Sequence, residues 1–188
     1  MSTVPRSAVL LMDLQTDFLS VSGARMPVRA RDAENVIETA NAILDRRILL
    51  SSIPILVVNH FPRFDRIGNF LRHSAAIANT LGANIDNRVH ANDNAKLIPK
   101  SKPSAFSNPE LNEYLKANDV QTIYAFGVFA EGCVRATVLE ARRLAYNVTV
   151  PMDAIGTNAN WKRTFALWSM RRAGVVLVPT LLTQEYEA

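Results

Sequence analysis

The chain's 188 residues, 48% hydrophobic and 20% charged, suffice for one sizeable core, so a single domain over 1–188 is expected and a fibrous or disordered chain is excluded. The formal net charge of +4 comes from scattered pairs such as Arg46-Arg47, Arg142-Arg143 and Arg171-Arg172; without a basic stripe interleaved with aromatics, no nucleic-acid partner is expected. One cysteine excludes an internal disulfide, no run reaches the length of a membrane span, and the apolar part of MSTVPRSAVLLMDLQ is too short for a signal peptide, so a cytoplasmic protein without a membrane partner is expected.

In chain order, residues 8–12 are a short apolar run ending at Asp13, the pattern of a strand buried on both faces with a carboxylate at its carboxyl end. A polar, Gly/Pro-containing loop over 20–27 follows. A helix is then predicted from Asp32, which serves as N-cap, with Val36, Ile37, Ala40, Ile43, Leu44 and Ile48 as its buried face. Pro54 opens a second strand over 55–58, which stops at Asn59-His60. The long connection over 61–95 holds one weak helix (70–81) and an Asn/Asp-rich tail, and reads as a functional cover or a partner-binding segment. Leu97 and Ile98 form a third strand, and Pro99 places it at an edge or stops it. Asn108-Pro109-Glu110 is a helix start, a cap followed by proline in the first turn.

The most informative stretch is VQTIYAFGVFAEGCVRATVLEARRLAYNVTVPMDA, residues 120–154. Its aromatic-rich run over 123–128 predicts a buried strand. The pattern breaks at Gly132-Cys133 into a helix whose apolar positions are Val134, Val138, Ala141 and Ala145. A thiol opening a helix faces unpaired N–H groups and the positive end of the helix dipole, which favour thiolate, and the same N–H groups can hold an oxyanion. A lone cysteine is also one of the most commonly buried residue types, so this stretch alone does not decide its role. A fifth strand over 147–150, a helix over 160–172 burying Trp161, Phe165 and Trp168 and stopped by Gly174, and a sixth strand over 175–178 complete the pattern.

Apolar strands alternating with helices imply an α/β fold, a doubly wound parallel sheet of six strands with helices on both faces. In such sheets ligands bind at the carboxyl ends of the strands, where the winding reverses. If the first and fourth strands are neighbours across that reversal, Asp13 and Cys133 meet.

Three motifs in order, D-x-Q-x-D-F from Asp13, K-x-x-x-S-A-F from Lys100 and G-x-x-x-x-x-C-V ending on Cys133-Val134, resemble the isochorismatase-like cysteine hydrolases. That superfamily includes nicotinamidases and N-carbamoylsarcosine amidases, and the resemblance runs from the first strand to the last helix. It implies a three-layer domain with strand order 3-2-1-4-5-6 and a catalytic triad of Asp13, Lys100 and Cys133. Asp13 would be the proton carrier, Lys100 the thiolate stabiliser and Cys133 the nucleophile that forms a thioester. It also implies an oxyanion hole from the N–H groups of Phe129 and Cys133, a cis Val128–Phe129 peptide, and a homo-oligomer, dimer or tetramer. Asp17 reads as a structural cap. Phe18, Phe61, Phe64 and Phe129 are the expected walls of a substrate pocket, and Arg63 and Arg66 are solvated charges that could attract a carboxylate.

Two departures from the family pattern bear on function. Phe129-Ala130 stands where relatives often carry Ala-Thr, so a hydroxyl is missing and a ring sits beside the oxyanion hole. The nicotinamidase branch holds a metal through Asp-x-His after the second strand, where this chain has Asn59-His60-Phe61-Pro62, and His60, His73 and His90 are too scattered to form a site by spacing. The expectation is therefore a cysteine hydrolase without metal or cofactor, acting on a small-molecule amide or ureide. Isochorismatase-type vinyl-ether hydrolysis is one alternative. A weakly active homologue serving as a binding or assembly protein is the other.

Overall fold

The computed structural model describes residues 6–20 and 22–182. Residues 1–5, which begin the N-terminal stretch considered above, and Val21 of the 20–27 loop lie outside the described residues. Seven parallel strands form the sheet: β1 (Arg6–Met12), β2 (Ile53–Asn59), β3 (Lys96–Lys100), β4 (Val120–Val128), β5 (Asn147–Pro151), β6 (Ile155–Gly156) and β7 (Val176–Val178). Their order is β3-β2-β1-β4-β5-β7, with the two-residue β6 paired to the end of β4. The expected order holds. Only β6 is added, too short to carry a periodic signal.

The central strands are continuous apolar runs because both faces are covered. Ala8 through Met12 of β1 and Ala125, Phe126 and Val128 of β4 are fully buried, and each large apolar side chain removed from water contributes about 1.5–3 kcal/mol. β3 is an edge strand, which accommodates Pro99 without loss of a ladder bond on the open side.

The helices are α1 (Thr16–Leu19), α2 (Ala30–Leu44), α3 (Arg66–Leu71), α4 (Pro109–Ala117), α5 (Arg135–Arg143) and α6 (Asn160–Arg172). The start of α4 is as expected, with Asn108 accepting a hydrogen bond from the Glu110 N–H at 3.0 Å. Asp32 is not the cap of α2. The helix begins two residues earlier, and Asp32 in its first turn accepts hydrogen bonds from the Thr157 N–H at 3.1 Å and pairs with Arg163 at 2.7 Å. The carboxylate ties α2 to α6. Ile48 follows the end of α2 and is only partly buried, and Ala145 lies beyond α5, exposed, with φ of 67°.

The expected helix over 70–81 is also displaced. α3 is six residues long, ends at Leu71, and is followed by turns and a 3₁₀ turn over Leu81–Ala83. Positive φ values at His73, Ser74, Ala76 and Asn79 break any continuous helix there.

The largest correction concerns α6. Its bounds are as predicted, but it buries Ala166 and Met170, whereas Trp161 is 70% exposed and Phe165 and Trp168 are also on the surface. Their helical spacing marks the outer face. There the rings stack on each other and lie under cations: Phe165 and Trp168 sit 6.2 Å apart, with Arg135 over Phe165 and Arg172 over Trp168. Cation–π contacts of this kind contribute about 0.5–1 kcal/mol each at exposed sites. Met170→Ala should therefore destabilise the fold by about 2–5 kcal/mol. Trp168→Ala should cost about 1 kcal/mol or less, the two being compared by denaturant unfolding.

Candidate active site

Four neighbouring strands deliver four side chains to one point. Asp13 follows β1, Asn59 and Lys100 are the last residues of β2 and β3, and Cys133 lies in the turn after β4. In the sheet Asn59 pairs with Lys100 and Met12 with Gly127, so the winding reversal between β1 and β4 brings Asp13 to Cys133.

The close approach of β4 to β1 needs a glycine. At Gly127, with φ of 122°, a Cβ would lie 2.2 Å from the Met12 carbonyl oxygen, so any side chain there would drive the two strands apart. Asp13 itself has φ of 57°. That left-handed conformation costs a non-glycine residue about 1 kcal/mol or more, and its N–H bond to the Val57 carbonyl at 2.7 Å holds it.

The Lys100 side chain is fully buried. Its ammonium donates to Asp13 Oδ2 at 3.0 Å, to Asn59 Oδ1 at 2.5 Å and to Cys133 Sγ at 3.2 Å. Lys102, by contrast, is exposed. The S-A-F turn explains the rest of that motif. Ala105 and Phe106 are buried, the Ala105 N–H donates to Thr137 Oγ1 of α5 at 2.9 Å, and Phe106 stacks on Tyr146. The turn docks the end of β3 onto the helix that Cys133 leads into.

Cys133 sits within a π-helical turn, Ala130–Val134, in which Gly132 is non-helical, and regular α5 starts two residues later. The expectation of an ionised thiol is overturned. Burial, followed by the charge of Asp13, pushes the Cys133 thiol up to about 12, and Lys100 offsets only part of this. A thiolate at this partly buried position beside a carboxylate loses more in hydration and repulsion than a helix terminus and one ammonium restore. Burial likewise raises the Asp13 carboxyl, with Lys100 opposing. For Lys100, burial pulls downward, but Asp13 and Cys133 outweigh it and the ammonium is held above its ordinary range. At neutral pH the thiol is protonated. Asp13 lies near enough to influence it, and among the described residues the buried Asp13 Oδ1 has no hydrogen-bond partner.

The D-x-Q-x-D-F residues divide the remaining work. Gln15 is fully buried; its amide donates to the carbonyls of Asn59 at 2.8 Å and Ala83 at 2.6 Å, and its Oε1 accepts from the Asn59 N–H at 2.8 Å. Asp17 is structural, as expected, but it caps no helix: its carboxylate accepts from the Ala76 N–H at 2.9 Å and anchors the 61–95 segment. Phe18 meets Phe129 edge-to-face with ring centroids 5.6 Å apart.

The other two expected pocket walls fare differently. Phe61 is buried under the Arg72 guanidinium, 3.9 Å from its ring centre. Phe64 is 86% exposed, a surface position and not a wall, because the turn before α3 carries it outward. Arg63 and Arg66 are exposed. The Val128–Phe129 peptide is cis, as the resemblance implied. Sequence reasoning missed Asn59 and Gln15. The available signal was that Asn59 ends the second strand, beside the two strand ends already chosen.

The sequence matches the isochorismatase domain over residues 7–180, and the chain belongs to the isochorismatase family of hydrolases. It is 31% identical to a protein of Arabidopsis thaliana described as a probable inactive nicotinamidase, across 93% of this chain and 92% of that one. A shorter match, 34% identical over 42% of this chain and 30% of the relative, is to N-carbamoylsarcosine amidase of an Arthrobacter species. Among solved structures, the pyrazinamidase of Pyrococcus horikoshii in complex with zinc superposes with a TM-score of 0.81 at 26% identity, over 93% of this chain and 99% of that one.

The residues after β2 do not fit such a metal. Asn59 Oδ1 already holds an ammonium, the His60 side chain is exposed, and His90 pairs with Asp45 at 3.1 Å. Among the described residues no three His, Cys, Asp or Glu side chains cluster as metal ligands. A divalent ion at Asn59 would face the Lys100 charge with a neutral amide as donor.

The thiol's charge state can be tested directly. Alkylation of Cys133 by iodoacetamide should be slow at neutral pH and rise steadily through the alkaline range. Asp13→Asn should speed alkylation by removing the nearby negative charge, Lys100→Ala should slow it, and Lys102→Ala should leave it unchanged. A rate that levels off near neutrality would show instead that the resting thiol is ionised.

Proposed function

We propose that the chain is a single-domain, metal-independent cysteine hydrolase cleaving the carbon–nitrogen bond of a small-molecule amide or ureide, with Asp13, Lys100 and Cys133 as its catalytic residues. The observation that carries this reading is the buried ammonium of Lys100, held at 3.0 Å from Asp13 and 3.2 Å from the Cys133 sulfur. A buried carboxylate whose hold on a proton is strengthened by desolvation is a suitable general base for a protonated thiol.

In the first half-reaction Asp13 takes the thiol proton as sulfur attacks the carbonyl carbon. The oxyanion is received by the N–H groups of Phe129 and Cys133, each such donor being worth about 10²–10³-fold in rate. Collapse expels the amine, which takes the proton back from Asp13 and leaves a thioester. In the second half Asp13 accepts a proton from water, hydroxide adds to the thioester carbonyl, and the acid departs as the thiol regains its proton. Lys100 stays charged throughout and stabilises the sulfur whenever it is anionic. The Phe18–Phe129 pair supports a flat or apolar substrate group beside the nucleophile.

A second reading, a binding or assembly protein with weak or lost activity, is favoured by the probable inactive nicotinamidase relative and by Phe129-Ala130. Ammonia release from a panel of amides, ureides and nicotinamide separates the two.

Cys133→Ala should abolish hydrolysis without unfolding the protein, and Cys133→Ser should lower kcat by about 10³-fold or more, since an alcohol gains far less from a neighbouring lysine. Equal ammonia release by wild type and Cys133→Ala would refute the mechanism. Dialysis against a chelator should leave activity unchanged. Stoichiometric zinc, iron or manganese by elemental analysis, with activity lost on chelation and restored by metal, would overturn this reading in favour of a metal-dependent nicotinamidase.

A further inference from the structure

We infer that Asn59 is a positioning residue of the triad: its carboxamide locks the Lys100 ammonium through Oδ1 and presents Nδ2 to the Cys133 sulfur, so that thiolate forms between two fixed donors. The inference deepens the proposed hydrolase reading and rests on the same site.

An ammonium has three protons, and Lys100 places them on Asp13 Oδ2, Asn59 Oδ1 and Cys133 Sγ. With the side chain fully buried, no water replaces a lost partner, so removing Oδ1 leaves one N–H unpaired and frees the ammonium to move toward Asp13. Because Oδ1 must face that donor, the amide's orientation is decided, and Nδ2 is turned toward Cys133 Sγ at 3.7 Å. That distance is long for a bond to a neutral thiol and is suited to tighten as negative charge grows on sulfur.

Residue type matters as much as position. An amide is neutral at every pH, so it adds a dipole without cancelling the Lys100 charge. A carboxylate at Asn59 would compete with Asp13 for that ammonium and repel the thiolate. Among the described residues, the polar and charged side chains recorded against the sulfur are Asp13 just after β1, Asn59 at the end of β2 and Lys100 at the end of β3.

The backbone of Asn59 is held independently of its side chain, by Gln15 on both its N–H and its carbonyl. Side-chain substitutions there should leave the strand end in place, which makes the site testable. The experiment measures iodoacetamide alkylation of Cys133 across the neutral to alkaline range in wild type, Asn59→Ala, Asn59→Asp and the surface control Lys102→Ala, with thermal melting alongside. Asn59→Ala should alkylate about tenfold more slowly at a given pH, equivalent to about one pH unit. Asn59→Asp, nearly identical in shape, should be slower still, and Lys102→Ala should match wild type.

A purely structural Asn59 predicts the opposite, Asp behaving as wild type because shape and the lysine contact are kept, and that result would overturn the inference. Should Asn59→Ala fail to fold, Asn59→Ser, small and neutral, takes its place. Alkylation needs no substrate, so the two readings fail separately. A protein that hydrolyses nothing, yet whose thiol responds to Asn59, sinks the hydrolase and keeps the positioning role. Cys133-dependent hydrolysis with an unmoved Asn59→Asp profile does the reverse.

Discussion

The site depends on one buried charge. An ammonium withdrawn from water costs several kcal/mol unless it is paired and every N–H is met, and Lys100 is met on all three sides by groups from the ends of three different elements. Remove Asp13 and the positive charge is uncompensated; remove the ammonium and a buried carboxylate is left alone. Each member of the pair is tolerable only because the other is present. The sheet order is what puts them in reach, since β3, β2, β1 and β4 lie side by side and end at the same edge.

That arrangement also decides the state of the Cys133 thiol. A cysteine near a helix start is expected to lose its proton readily, but the helix dipole contributes only about 0.3–1 kcal/mol at an exposed terminus. Here the first turn is π-helical, with Gly132 outside helical geometry, and the competing effects are burial and a carboxylate in hydrogen-bonding reach. Those are larger. The thiol therefore rests protonated next to a carboxylate, and in the proposed hydrolase it would ionise only as it attacks. A protonated thiol is also less open to oxidation and stray alkylation, which act on thiolates.

Around this centre the long 61–95 segment is fastened by residues of the first motif. Gln15 reaches Asn59 and Ala83, Asp17 reaches the Ala76 N–H, and Arg88 joins Asp86 to the Leu19 carbonyl at 2.6 Å. A connection of that length carries polar backbone that must be satisfied, and buried side chains of the α1 region supply the partners. The motif thus does two jobs: its first residue faces the chemistry, and the next two hold the segment that lies across the strand ends.

The parallel sheet, its order and the meeting of Asp13, Lys100 and Cys133 at one point were legible in the sequence and in its resemblance to the family. Buried strands write themselves as continuous apolar runs, and ordered motifs mark strand ends. The K-x-x-x-S-A-F spacing could also choose Lys100 over Lys102, since three residues separate Lys100 from Ser104-Ala105-Phe106. Local pattern could not tell which face of α6 is buried, because Trp161, Phe165 and Trp168 recur at helical spacing whether they face core or water, and the neighbouring elements leave room only for Ala166 and Met170. Nor could it place Phe64. The thiol's protonation, the role of Asn59 and the clamp of Gln15 came only with the tertiary structure. They depend on distances and dielectric among residues up to 120 positions apart in the chain, Asp13 and Cys133 being the farthest, and such through-space interactions leave no periodic trace along it.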